Sequence, residues 1–289
     1  MKDTTRGAAR RWLGALLAPA ILLTSASAFA GVLDRVKQDK TLRLGVRDDA
    51  PPFSYKNAAG EPAGFMVDLC RAVAKDIGLK LGAEIKIDYV PVTAADRFEA
   101  IETGKADLLC EPTTETLSRR EHVDFSIPTF VDGASLIAVD DGPRDFAALA
   151  GKKVGVLGGT TTENELRNTL KLSNMTADVV VVETHEQGLK DLLDGKIAAY
   201  FGDRSVIGHV ANTMPGSDRF RLATAYLTIE PYALALPRGD SDFRLAVDHG
   251  LSHIYRSGAI APIFTAAFGP ANPPTETLKT LYIIDALPD

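Results

Sequence analysis

Short strand patterns alternate with helix patterns along most of this 289-residue chain. Residues 41–46 alternate apolar and polar side chains, as a half-buried strand does, and a helical pattern over 64–77 follows them. Two further strand patterns, at 84–90 and 106–109, enclose a helix that Thr93 can cap. Alternation of strands and helices predicts an α/β fold in which a parallel-rich sheet is flanked by helices.

A strand pattern at 134–139 is followed by a chain break at 140–143, which reads Asp-Asp-Gly-Pro. A second series of the same kind then opens, with the predicted strands 153–157, 179–182 and 197–201 and the predicted helices 162–171 and 186–194. A strand pattern at 232–236 and a long helix capped by Ser241 end the chain. This last part has too few strands for a third domain.

The division into two series predicts two lobes. Because the C-terminal part lacks a sheet of its own, we expect the chain to cross between the lobes twice. Lobe 1 is expected to contain residues 31–132 and 232–289, and lobe 2 residues 133–231.

The first thirty residues have the features of a secretory signal peptide. Four basic residues precede an apolar run at 12–23, and Ala28-Phe29-Ala30 forms a small-x-small cleavage site. The apolar run is well short of the roughly 20 residues that span a bilayer, and no cysteine near the cleavage site can carry a lipid. We expect a periplasmic protein without a membrane anchor.

The charge and cysteine content restrict the classes of partner and of covalent link. A net charge of −6 argues against nucleic acid as a partner, because phosphate binding requires a cationic face. In an exported chain Cys70 and Cys110 could form one disulfide, which would close a loop of about 40 residues. Alternatively they are two separate buried thiols, because Cys70 lies on the apolar face of the predicted helix.

Ligands of open α/β sheets bind beyond the carboxyl ends of the strands, so a two-lobed chain of this kind has its site in the cleft. The loops and residues expected there are 47–53, 91–97, 111–119, 158–162, His185 and Asp203.

The segment 158–162, Gly-Gly-Thr-Thr-Thr, lies between a predicted strand and a predicted helix. Its N–H groups and hydroxyls suit an anion such as a carboxylate, although an ordinary glycine turn is the simpler alternative. No lysine follows the glycines as in a phosphate loop, and Leu157 replaces the middle glycine of a dinucleotide fingerprint. Glu183, at the end of the next strand, leaves nucleotide binding open as an alternative.

Two charged residues could hold the two ends of an amino acid. Arg119, expected on the first turns of a helix, can bind a carboxylate through two parallel hydrogen bonds, or it is a solvated helix residue. Asp203 ends a buried stretch and can receive an ammonium group, or it is a helix N-cap. His249 and His253 are four residues apart but lack a third ligand, so we expect neither a metal nor a cofactor.

Taken together, these segments resemble the periplasmic amino-acid-binding proteins of ABC importers. The residues that carry the resemblance are Thr41-Leu42-Arg43-Leu44-Gly45-Val46, Pro52-Phe53-Ser54-Tyr55, Gly64-Phe65-Met66-Val67-Asp68-Leu69, 119–126, Gly159-Thr160-Thr161 and Gly202-Asp203. The resemblance implies a two-lobed, type II periplasmic-binding-protein-like fold with two hinge crossovers. It also implies a ligand α-carboxylate at Arg119, Thr160 and Thr161, and an α-ammonium at Asp203 and Thr114.

The sequence is most similar to the glutamate/aspartate-binding branch of that family. Arg47, Arg97 and His185 match residues that surround the ligand's side-chain carboxylate in that branch, although salt bridges between the lobes or solvated positions also account for them. The departures are Ala94 and Pro112 in place of ligand-binding serines, and Ser118 in place of a glutamate. Ala50 replaces an aromatic residue of the basic-amino-acid branch, which argues against a basic ligand.

The resemblance therefore implies a monomeric, non-enzymatic receptor that delivers an amino acid to an ABC permease. An alternative is a periplasmic enzyme similar to cyclohexadienyl dehydratase, with Glu163 or Glu111 as the acid. A sensory module on the same scaffold is a third alternative.

Overall fold

The computed structural model describes residues 1–2 and 31–288, so the predicted signal peptide lies almost entirely outside the described residues. The helices of the described part are α1 (Val32–Asp39), α2 (Phe65–Leu81), α3 (Arg97–Glu102), α4 (Thr161–Leu172), α5 (His185–Leu193), α6 (Arg204–Thr213), α7 (Ser241–Arg256), α8 (Ile260–Phe268) and α9 (Glu276–Ile284). Within the same residues, no helix is both long enough and apolar enough to cross a membrane.

The strands are short and are distributed along the whole described chain. They are β1 (Thr41–Val46), β2 (Asp49–Ala50), β3 (Ser54–Lys56), β4 (Pro62–Ala63), β5 (Lys86–Pro91), β6 (Leu108–Leu109), β7 (Val123–Asp132), β8 (Ala134–Val139), β9 (Lys153–Leu157), β10 (Asp178–Val182), β11 (Ala199–Asp203), β12 (Phe220–Tyr226) and β13 (Glu230–Pro237).

The first lobe is built on a parallel sheet with the strand order β5-β1-β6. The prediction of a strand at 41–46 is confirmed, and β1 pairs with β5 along its full length. The buried face of α2 packs against this sheet. That helix continues to Leu81, beyond its predicted end at 77, and stops where Gly82 takes a left-handed conformation (φ 63°).

A disulfide joins α2 to the end of β6. Cys70 and Cys110 are bonded, with 6.1 Å between their Cα atoms, which confirms the first of the two alternatives for these cysteines. The bond fixes the start of the loop that carries residues 111–119 into the cleft.

The second lobe is built on a five-stranded sheet with the order β10-β9-β11-β8-β12. The strands β10, β9 and β11 are parallel, whereas β8 and β12 run antiparallel to their neighbours. The antiparallel strands are those that follow or precede a crossover between the lobes. The second sheet is therefore mixed: it is parallel in β10, β9 and β11 and antiparallel in β8 and β12, the two strands connected to the crossovers.

The two crossovers lie side by side. The long strand β7 pairs antiparallel with β13, and each connects through a few residues to a strand of the second lobe. Gly133 follows β7 at this junction, and a Cβ atom there would lie 2.3 Å from the Thr228 carbonyl oxygen of the other crossover. Only glycine permits this close approach. The C-terminal helices return to the first lobe, where α7 packs on α2 and α9 on β7.

Three local expectations are wrong. The segment 111–119 is an extended loop, because Thr114 pairs with Tyr232 and Arg119 only begins a short 3₁₀ turn that leads into β7. The helix after Thr93 begins at Arg97. Asp240, not Ser241, caps α7, because its side chain accepts from the Phe243 N–H at 3.1 Å.

Candidate functional site

One cleft between the lobes collects all the residues that the sequence singled out for ligand binding. The cleft contains about 350 Å³ of space outside the protein atoms, with the open solvent at its mouth included. The structure places all eight residues predicted from the sequence on its walls: Arg47, Arg97, Thr114 and Arg119 from the first lobe and Thr160, Thr161, His185 and Asp203 from the second. Pro112, Leu157, Thr162, Phe201 and Gly202 also line it.

Arg119 lies at the start of its turn with its guanidinium group held in two ways. One of its terminal nitrogens donates to the Thr114 carbonyl oxygen at 2.7 Å, and the group lies 5.1 Å from the centre of the Phe98 ring. Arg97 lies over the same ring at 4.6 Å. Burial lowers the pKa of Arg119, but a guanidinium remains protonated at neutral pH. Four further N–H donors of the group are left for other acceptors.

The turn at 158–162 brings the lobes into contact, and the Gly159 N–H and the Thr160 hydroxyl are hydrogen-bonded within the second lobe. Gly159 has a φ of 72°, and a Cβ there would lie 3.1 Å from the Ala94 carbonyl oxygen of the first lobe. The Gly159 N–H donates to Glu163 at 3.1 Å. The Thr160 hydroxyl accepts from the Glu163 N–H and donates to the Leu157 carbonyl, so it caps α4. The Thr160 hydroxyl is therefore engaged within its own lobe, while Thr160 also lines the cleft, and its contact with a ligand stays a prediction.

Asp203 is the last residue of β11 and faces the cleft without capping the helix that follows. Thr162 donates to its carboxylate at 3.3 Å. Burial raises the pKa of Asp203 to about 7, and the negative charges of Asp132 and Glu230 act in the same direction. A cation placed beside this carboxylate would relieve that penalty.

His185 opens α5, and the structure places it in the cleft wall. Its Nδ1 atom lies 3.0 Å from the Tyr200 hydroxyl. Burial, together with the positive charge of Arg47, lowers the pKa of His185 to about 3. The imidazole is therefore neutral at pH 7, and it supplies no positive charge for a carboxylate.

The buried carboxylate of Glu111, a candidate catalytic acid in the enzymatic alternative, lies between the other two arginines. The Oε1 atom of Glu111 is 3.4 Å from Arg97 Nε, and its Oε2 atom is 3.8 Å from a terminal nitrogen of Arg47. Arg47 also donates through Nε to Asp49 at 2.8 Å. Burial lowers the pKa of Arg97 to about 10, whereas Asp49 and Glu111 outweigh burial at Arg47 and raise its pKa.

A second buried carboxylate, Glu230 at the start of β13, was missed. Thr114 and Thr161, one from each lobe, both donate to its Oε2 atom, the latter at 2.9 Å. Thr228 donates to the other oxygen at 2.7 Å. The hydroxyls of Thr114 and Thr161 are thus bound to Glu230, which links the two lobes across the cleft.

The histidine pair on α7 has a structural partner. His249 and His253 place their Nδ1 atoms 3.2 and 3.1 Å from the two oxygens of Asp76 on α2. Across residues 1–2 and 31–288 there is no group of three or more His, Cys, Asp or Glu side chains arranged so that it could hold a metal ion.

Comparison with known proteins identifies the family of this chain. The family description "Bacterial extracellular solute-binding proteins, family 3" matches residues 42–270. The chain belongs to this family. A protein of Pseudomonas aeruginosa described as an L-glutamate/L-aspartate-binding protein is 30% identical over 256 residues, which cover 86% of this chain and 83% of that protein.

Solved structures show that this solute-binding protein has the two-lobed, type II fold of periplasmic binding proteins. An ancestral arginine-binding protein bound to glutamine has a TM-score of 0.72 and 27% identity, and the match covers 80% of this chain and 98% of that one. An ancestral amino-acid-binding protein described as a precursor of cyclohexadienyl dehydratase has the same TM-score and identity, covering 83% and 100%. The match confirms the fold class expected from the sequence.

The two buried acids of this solute-binding protein differ in how visible they are in the sequence. Glu111 lies two residues after the apolar strand β6, and a charged residue just beyond the carboxyl end of a buried strand is a recognisable signal. Glu230 is the first residue of β13 and has no local pattern that distinguishes it. Its partner Thr114 is 116 residues away in the sequence.

Proposed function

We propose that the protein is a periplasmic receptor that captures an amino acid between its lobes and delivers it to the permease of an ABC importer. The observation that carries the proposal is the presence of Arg119 and Asp203, from opposite lobes, on the walls of one cleft. An amino acid carries the two complementary charges. Its contacts with both lobes would favour the closed form over the open one.

The division into lobes is part of this proposal. Residues 31–132 and 232–289 would move as one body and 133–231 as the other. The paired crossovers at Gly133 and Thr228 support this boundary, because both connections between the sheets pass there.

The ligand's side chain would lie toward Arg47 and Arg97. Their N–H groups suit an acceptor-bearing side chain, and the relative from Pseudomonas aeruginosa supports glutamate and aspartate as members of the class to test. Both arginines are almost completely buried, with 4% and 3% of their side chains exposed, so they hold their positions before any ligand arrives.

The enzymatic alternative has less support in the geometry. Neither of its candidate acids lines the cleft: Glu111 lies behind the arginines, and Glu163 binds the Gly159 N–H and Arg167 beside it. A dehydratase needs its acid in contact with the substrate.

A thermal-shift panel of the twenty amino acids and several organic acids, including prephenate, tests the function. A ligand at a hundred times its Kd adds about 2.7 kcal/mol to the free energy of unfolding. We expect at least one amino acid to raise the Tm by several degrees. Stabilisation by organic acids alone, or turnover of prephenate, would contradict the proposal.

Ligand affinity should fall as the pH is lowered below about 7. The pKa of Asp203 is about 7 in the cleft, and an ammonium partner would lower it, so binding below that pH must release a proton. The loss is expected to approach tenfold per pH unit. The pKa of Asp132 is also raised and acts in the same direction, while His185 titrates far below this range.

Isothermal titration calorimetry between pH 5.5 and 8.5 measures this dependence. The control is Asp203→Asn, which should bind more weakly and lose most of the slope. An affinity that is constant or rises toward pH 5.5 would show that Asp203 does not hold the ammonium group.

A further inference from the structure

The carboxylate of Glu111 lies behind the wall of the cleft. The side chain has no exposed surface, and Glu111 is not among the lining residues, whereas Arg47 and Arg97 are. Neither carboxylate oxygen has a hydrogen-bond partner among the described residues. Its interaction with the two arginines, at 3.4 and 3.8 Å, is therefore mainly one of charge.

The charges at this end of the cleft already balance. Arg47 is paired with Asp49 at 2.8 Å, and Arg97 has Glu111 as its acidic neighbour. The neutral His185 adds nothing to the positive side. The two arginines therefore present N–H donors to the cleft without an excess of positive charge.

The other end of the cleft is matched to the backbone of an amino acid alone. Arg119 can neutralise the α-carboxylate and Asp203 the α-ammonium group. The remaining charges there, on Glu230 and Asp132, are negative, and Glu230 is held by hydroxyl groups. A second carboxylate on the ligand would find no unmatched cation, and burial of an unmatched charge is unfavourable.

The position of Glu111 is also fixed by the backbone. It directly follows Cys110, whose disulfide to Cys70 anchors it on α2, and the ring of Pro112 restricts the conformation of the residue before it. The backbone that carries this carboxylate is therefore held in place when a ligand enters.

We propose that Glu111 determines which side-chain charge the receptor prefers in its ligand. Because Glu111 neutralises Arg47 and Arg97 from behind, the receptor prefers glutamine or asparagine to glutamate and aspartate. The inference rests on the proposed function of amino-acid capture. A carboxamide oxygen accepts hydrogen bonds from the arginine N–H groups as a carboxylate does, but it brings no charge into the cleft.

Calorimetric titration of the wild-type protein with glutamine, asparagine, glutamate and aspartate at pH 7.5 is the first test. We expect the better amide to bind at least about tenfold more tightly than the better acid. The variant Glu111→Gln removes the charge and keeps the shape. It should shift the ratio of the two affinities toward the acids by about tenfold or more.

Two further variants control this result. Glu115→Gln removes one negative charge from the same loop at a surface pair with Arg120, and it should leave the ratio unchanged. Glu111→Asp retains the charge and should keep the preference for amides. If Glu111→Gln does not fold, the wild-type ratio and Glu111→Asp still decide the question.

The outcomes separate this inference from the proposed function. A wild-type preference for glutamate or aspartate, or an unchanged ratio in Glu111→Gln, would overturn the role of Glu111 and leave amino-acid capture intact. Binding of no amino acid at all would overturn both.

Discussion

Replacement of Arg119 by alanine should weaken amino-acid binding about a thousandfold. The guanidinium is the one cation of the cleft that has no acidic side chain within ion-pair distance among the described residues, and it would provide the counter-charge for the α-carboxylate. Truncation of one partner of a buried, hydrogen-bonded charge pair costs about 2 to 5 kcal/mol. A loss of about 4 kcal/mol corresponds to that change in Kd. Calorimetry with the ligand identified by the thermal-shift panel measures it.

The neighbouring residue provides the control. Arg120 is half-exposed and pairs with Glu115 at 2.9 Å on the surface, so Arg120→Ala should bind like the wild type. Arg119→Lys keeps the charge but loses the paired hydrogen bonds, and an intermediate loss is expected. If Arg119→Ala folds normally and binds with undiminished affinity, the proposed pairing of Arg119 with the ligand's α-carboxylate is refuted.

Removal of the disulfide between Cys70 and Cys110 should strongly lower the free energy of unfolding. The double variant Cys70→Ser, Cys110→Ser opens a loop of 40 residues, and the chain-entropy relation gives a loss of about 4 kcal/mol in the free energy of unfolding. Domains of ordinary stability have about 5 to 15 kcal/mol in total. Urea unfolding followed by circular dichroism measures the loss as a lower transition midpoint.

The wild-type protein unfolded in a reducing agent is the matched control and should reproduce the midpoint of the double variant. Equal midpoints for oxidised wild type, reduced wild type and variant would mean that the bond contributes nothing measurable. Single serine variants are less informative, since each leaves one free thiol.

The sequence was sufficient to place the residues of the cleft but not to describe their pairing. Arg47 and Thr114 follow strands, Arg97 and Arg119 lie between strands and Asp203 ends one, and the topology of parallel sheets gathers such positions at one edge. The bonds of Glu230 to Thr114 and Thr161 span more than 60 residues, so no local pattern reports them.

The error at 111–119 has the same origin. Hydroxyl residues before an arginine are compatible with a helix start, but Thr114 pairs with Tyr232, whose position depends on the second crossover. Tertiary pairing overrides the local preference. Likewise, the neutral state of His185 depends on its burial and on Arg47, neither of which is visible in the adjacent sequence.

The side-by-side crossovers at Gly133 and Thr228 determine where a rotation of the lobes would be easiest to detect. In the second sheet β8 is the strand that directly follows the crossover at Gly133. β10 lies three strands away from β8, or about 14 Å at the usual strand spacing. In a rotation about the crossovers, displacement grows with distance from them, so the exposed Val181 on β10 would move farther than residues on β9, β11 or β8. Fluorescent labels on β10 and on α9, which stays with β7, would convert ligand capture into a change in energy transfer.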